Sequence, residues 1–198
     1  MKKSLLLLLS ALIIIACGNN QQPLRVVSET PVKTNVLGVE LCSKVTKDQV
    51  KTTLNNATEK TFYAVEDNLD YYKVITANPC FDSNFSFGTR FWHYARVYVD
   101  QKDLVYRIEL TQTFESIDKA KEEYESVYAL YTHKYGKGNE QHNDKGESLT
   151  FWTDDTNSVG VFYEESATIK GEDRSYCILY YVNRELSNAV DAAMQPDI

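Results

Sequence analysis

Histidine is scarce in this chain, with three in 198 residues. No Gly-x-Ser-x-Gly, Gly-x-x-x-x-Gly-Lys, His-Glu-x-x-His or dinucleotide fingerprint occurs, so no familiar catalytic motif offers a reaction. No apolar run reaches the roughly 18 residues of a membrane-spanning helix. Basic residues are in the minority, 21 against 28 acidic, for a formal charge of −7. That balance excludes a nucleic-acid binder, which needs a basic face. With 8 glycines and 4 prolines the composition is not that of a fibrous or low-complexity chain. Apolar residues make up 43%, enough for one ordinary core.

The strongest signal is the leader. Lys2 and Lys3 are followed by an apolar stretch from Leu5 to Ala16, interrupted only by Ser10. That is the layout of a secretory signal peptide, too short to span as a helix. It ends in Ile14-Ile15-Ala16-Cys17, which resembles the lipobox of bacterial lipoproteins. The resemblance implies that residues 1–16 are removed and that Cys17 carries lipid on its thiol and its new amino group. Several acyl chains, at about 0.8 kcal/mol per buried methylene, hold a protein on a membrane essentially permanently. Gly18 stands where lipoproteins retained in the inner membrane carry aspartate, and no acidic run follows the cysteine as in some surface-exported ones. The implied address is the bacterial cell envelope, at the outer membrane and facing the periplasm.

Residues 17–35 read as the lipidated cysteine and a flexible tether, polar and poor in core-forming residues. Such a coil reaches roughly 20–25 Å. Residues 36–198 read as one globular domain. Thr46-Lys47-Asp48-Gln49 is a capping box opening a helix over 47–56, with Val50 and Leu54 on one face. Strands are expected at 61–65 and 71–77, and a hairpin at 90–99 and 104–111. A longer helix spans 117–135, capped by Ser116 and closed by Gly136; Ile117, Ala120, Tyr124, Val127 and Tyr131 form its stripe. Strands at 149–153, 158–163 and 175–182 and a last helix over 183–194 follow. Helix then antiparallel strands, twice, predicts an α+β fold: an antiparallel sheet with two main helices on one face and two helix-plus-strands repeats.

Leu37-Gly38-Val39 leading into Val45-Thr46-Lys47-Asp48-Gln49-Val50 and Leu54 resembles small outer-membrane-assembly lipoproteins of the SmpA/OmlA type. The element order resembles the repeat of the β-lactamase-inhibitor-protein-like fold. The chain departs from these families at Leu41-Cys42-Ser43 and at Asn55-Asn56-Ala57.

Chemistry-bearing residues are few. His93 shares its expected strand face with Val97 and Val99, the setting of a hydrogen-bonded histidine. His133, His142 and Glu140 surround a polar loop where solvation accounts for them. Asp154 and Asp155 suit a hairpin turn as well as a cation, and Glu164 and Glu165 suit a solvated strand end. No cofactor, metal or catalytic residue is therefore assigned. Beyond Cys17 stand Cys42, Cys80 and Cys177, an odd number outside the cytoplasm. Cys42 and Cys80, both in turn-like segments, are the expected disulfide; closing that loop is worth about 4 kcal/mol in the chain-entropy model. Cys80 with Cys177, or three reduced thiols, are the alternatives.

Aromatic residues are abundant, with 14 tyrosines and 8 phenylalanines beside 2 tryptophans. Strict alternation places Trp92, Tyr94, Arg96 and Tyr98 on one strand face, opposite Val97 and Val99. If outward, they form a candidate binding face; if covered by a second layer, they are structural. The sequence thus suggests a non-enzymatic, membrane-anchored module that binds an envelope protein or assists assembly, with glycan or small-ligand binding as the alternative and an enzyme third.

Overall fold

The computed structural model describes residues 28–80, 84–143, 147–169 and 172–195. The leader, Cys17 and the start of the tether lie outside the described residues. A two-stranded hairpin, β1 (Asn35–Val36) and β2 (Val39–Glu40), turns through Leu37 and Gly38, both at positive φ. Helix α1 (Lys47–Thr58) follows, then β3 (Phe62–Asn68) and β4 (Tyr72–Pro79). A small hairpin, β5 (Phe85–Phe87) and β6 (Arg90–Trp92), precedes β7 (Tyr94–Asp100) and β8 (Val105–Phe114). The second half is α2 (Ile117–Tyr135), β9 (Asn139–His142), β10 (Ser148–Thr153), β11 (Asn157–Ile169), β12 (Glu172–Asn183) and α3 (Arg184–Met194).

Eight strands form one antiparallel sheet in the order β3-β4-β7-β8-β12-β11-β10-β9. Each half is a helix followed by a four-stranded meander, and the halves meet by their last strands, β8 and β12. The expected α+β architecture, its two main helices and its helix-plus-strands repetition are present. Helices α1 and α2 cover the same sheet face. Val50 and Leu54 of α1, and Ala120, Tyr124 and Val127 of α2, pack there with Ala95, Val97, Ile108, Leu110, Val161 and Leu179. Near-total burial of these apolar side chains is the main driving force for folding.

Both helix starts follow the local chemistry. Thr46 Oγ1 accepts the Gln49 N–H at 3.3 Å, and Gln49 Oε1 accepts the Thr46 N–H at 2.8 Å, closing the capping box. Ser116 accepts from the Lys119 N–H, and the Gly136 N–H donates to Thr132 O at the other end of α2. Helix α3 lies on the opposite sheet face, where Leu186, Val190 and Met194 pack against Val74, Tyr98 and Tyr106.

Four expectations need correction. The tether ends earlier than residue 35: Val32 is buried in the core, and its N–H donates to Asp154 Oδ2 at 2.6 Å. Residues 139–142, expected as loop, pair with β10 as an edge strand. The 90–99 strand is broken. The His93 N–H donates to Thr111 O at 2.9 Å, and the His93 ring accepts the Thr113 N–H, so the chain bends between β6 and β7. The extra residue shifts the alternation by one, as a bulge does, and turns Trp92 to the helix side. Finally, the Cys42–Cys80 disulfide is not formed. The Cys42 N–H bonds Val105 O near the start of β8, while the Cys80 N–H bonds Thr61 O beyond the far end of β4. About six strand residues, roughly 20 Å, separate the two ends, and a disulfide needs its Cα atoms within about 7 Å.

Candidate functional site

The bend at His93 distributes the four residues expected to share a face. Trp92 is 1% exposed and sits in the helix-side core, its indole N–H reaching Phe87 O at 3.4 Å. Tyr98 is buried beneath α3, the second layer that the sequence left open. Only Tyr94 and Arg96 keep partial exposure, with the Arg96 guanidinium 5.0 Å above the Tyr94 ring. The outward aromatic patch is therefore absent.

What the face opposite α1 and α2 holds instead is a buried charge cluster at the seam between the repeats. Glu109 on β8 is fully buried; it accepts the Tyr98 hydroxyl at 2.7 Å, pairs with Arg107, and lies 3.7 Å from Arg96. The Arg107 guanidinium stacks between Tyr98 and Tyr180, at 5.4 and 4.8 Å from the ring centroids. Gly160, across from Tyr180 on β11, is required there, because a methyl group would overlap that ring. Burial, then the Glu109 charge, pushes the Tyr98 hydroxyl well above the usual range. Burial first, then Glu109 and Glu147, holds the nearby Glu164 carboxyl up at about 7. The carboxylate has two guanidinium neighbours and the guanidinium groups lie over three tyrosine rings, yet among the described residues Glu109 Oε1 and Arg107 Nε make no hydrogen bond, so the ion pair alone offsets their burial.

An open feature lies at one end of the sheet. A cleft of about 540 Å³ is lined by Tyr63 from β3, Asn78 and Pro79 from β4, Asn84, His93 at the bend, Tyr94 from β7, and Thr113 from β8. Phe114 at the end of β8, Glu115, Lys119 at the start of α2, and Arg174 on β12 complete the wall. Lys119 Nζ donates to Glu115 Oε2 at 3.1 Å in an exposed pair, worth little by itself. His93 Nδ1 accepts the Thr113 N–H at 2.7 Å, so the neutral ring carries its proton on Nε2. Burial lowers the His93 pKa and keeps the ring neutral at physiological pH. Burial likewise raises the Tyr94 hydroxyl to about 12, so it stays protonated. The cleft therefore presents uncharged hydrogen-bonding groups and aromatic surface beside a few exposed charges. That combination orients a polar ligand.

Sequence reasoning did not assemble this cleft, since its residues are spread along the chain from Tyr63 to Arg174. The Asn, Pro, Ser and Gly residues clustered from Asn78 to Gly88 are the one signal in the sequence that points to it. The other candidates fall apart in space or explain themselves. His142 Nε2 and Glu140 Oε1 are 3.8 Å apart on exposed β9. No group of three histidines, cysteines or carboxylates converges among the described residues. Asp154 Oδ1 accepts the N–H groups of Thr156 and Asn157 while Oδ2 takes Val32, so turn and strap use both oxygens. Cys177 is buried in the core, and Cys42 is an exposed thiol on a residue at positive φ. No protein family, curated protein or solved structure matches this chain.

Proposed function

We propose that this chain is a lipid-anchored envelope protein, attached to the outer membrane through Cys17, whose domain is a non-enzymatic binding module for a macromolecular partner. The observation that carries the binding half is the cleft of about 540 Å³ walled by Tyr63, Tyr94, Asn78, Asn84 and Thr113. Its one imidazole already spends Nδ1 on the Thr113 backbone, so the wall favours holding a partner over proton transfer. The tyrosine rings bury area at low entropy cost while the amides fix orientation. A glycan is the second reading, favoured by tyrosine faces lying beside asparagine amides in the same wall.

The anchor is tested by Cys17→Ala, which abolishes labelling with radioactive palmitate; label persisting in that variant refutes it. The cleft is tested by a photo-crosslinking side chain at Asn84 in intact cells. A discrete protein adduct that Tyr94→Ala removes supports a protein partner. An adduct to carbohydrate assigns the cleft to a glycan. An adduct pattern that Tyr94→Ala leaves unchanged overturns the cleft as the binding site.

A further inference from the structure

The outer edge of β3, which shares only Tyr63 with the cleft wall, supports a second inference. Two hydrogen bonds fix which backbone groups β3 gives to β4: Thr61 O accepts the Cys80 N–H at 2.7 Å, and the Leu69 N–H donates to Tyr72 O at 2.9 Å. In an antiparallel ladder the bonded positions alternate, so odd-numbered residues bond β4 and even-numbered ones face away. The outward N–H of Phe62 confirms the parity, because the Asn55 side chain from α1 accepts it at 2.8 Å. Beyond Phe62 the edge continues through Ala64, Glu66 and Asn68, and no described strand pairs with it. Tyr63 and Val65, on the face away from the main helices, are 51% and 48% exposed. From Thr61 to Asp70 there are three acidic residues, Glu66, Asp67 and Asp70, and no basic one.

We propose that β3 takes an extended, basic peptide as an added strand along Tyr63–Asn68. Its backbone bonds Ala64, Glu66 and Asn68, its apolar side chains cover Tyr63 and Val65 on one face, and its basic side chains meet Glu66 on the other. A second copy of this chain fits poorly, because edge-to-edge pairing brings two acidic segments, each with Glu66, Asp67 and Asp70 and no basic residue, side by side. The opposite edge, β9, is a four-residue polar strand with neither exposed apolar rings nor this charge density.

The test uses the full chain in a neutral detergent and an acetylated, amidated nonapeptide of alternating valine and lysine. The expected result is slowed amide exchange at Ala64, Glu66 and Asn68 by at least tenfold, with no binding of the glutamate–valine counterpart. Ala64→Pro removes an outward N–H without touching the β4 ladder, and weakens binding at least tenfold at unchanged melting temperature. Should that variant misfold, N-methylating alternate amides of the peptide replaces it: methylation on one edge abolishes binding, and on the other leaves it intact. Tyr94→Ala leaves peptide binding unchanged, which separates this edge from the cleft. Absence of binding at millimolar peptide, protection at residues 139–142 instead, or insensitivity to both modifications overturns the proposal. Self-association abolished by Ala64→Pro would assign the edge to a second copy and overturn it equally.

Discussion

Trp92→Ala and Phe91→Ala differ by one position and separate two readings of the same strand. Regular alternation through 90–99 makes Phe91 the core residue and Trp92 the surface one. The bend at His93 reverses this: Trp92 is 1% exposed and Phe91 is 65% exposed. A buried tryptophan removes on the order of 200 Å² from water, and about 25 cal/mol per Å² gives about 5 kcal/mol. The truncation also leaves a void beside its cross-strand neighbour Phe85 and removes the indole bond to the Phe87 carbonyl, though relaxation recovers part of the loss. Trp92→Ala should therefore destabilise by about 3–5 kcal/mol, a melting-temperature drop on the order of 10 °C for a domain of this size. Phe91→Ala should change stability by less than about 0.5 kcal/mol. Urea unfolding followed by circular dichroism measures both, with the buried Trp152 as a fluorescent reporter in the first variant. A larger loss for Phe91→Ala, or less than about 1 kcal/mol for Trp92→Ala, would refute the bend.

Glu109→Gln strands the buried Arg107 guanidinium and should cost about 3–5 kcal/mol by denaturant unfolding; a loss under about 1 kcal/mol would show that the pair is dispensable. Glu164 binds its proton more tightly folded, at about 7, than unfolded, where the reference value is 4.5. Its contribution to stability is thus present below about 4.5 and lost as pH rises to about 7, and Glu164→Gln should flatten the slope in that window. An unchanged slope in the variant sinks that assignment. In the folded protein iodoacetamide should modify exposed Cys42 and spare buried Cys177 until urea unfolds the domain, as peptide mass mapping will report. Modification of both at equal rates would contradict the burial of Cys177.

What the sequence disclosed was local. The capping box at Thr46, the stripe of α2 and the alternation through Tyr94–Asp100 each depend on residues a few positions apart, and each is present. What it hid depended on distant partners. The His93 bend is held by Thr111 and Thr113 from the neighbouring strand. Tyr98 is covered by α3, which arrives more than eighty residues later in the chain. Edge strand β9 carries an Asn-Glu-Gln-His sequence that resembles a loop and pairs only because β10 provides a ladder. The cleft gathers single residues from many elements, so no window of sequence contains it.

The seam between β8 and β12 also bears on how the chain reaches its fold. Each repeat closes its own helix and meander through near neighbours, whereas the seam and the Val32–Asp154 link, 122 residues apart, must close long loops. Loop-closure entropy favours the local contacts over these, so a molecule with both halves formed and the seam open would display β8 and β12 as two bare, complementary edges. The same edges on a second chain offer identical hydrogen bonds, with Glu115 and Ser116, between β8 and α2, as the connector between halves. At high concentration during refolding, β8 of one molecule can therefore pair with β12 of another, giving an interlocked dimer with the monomer's own sheet order in each lobe.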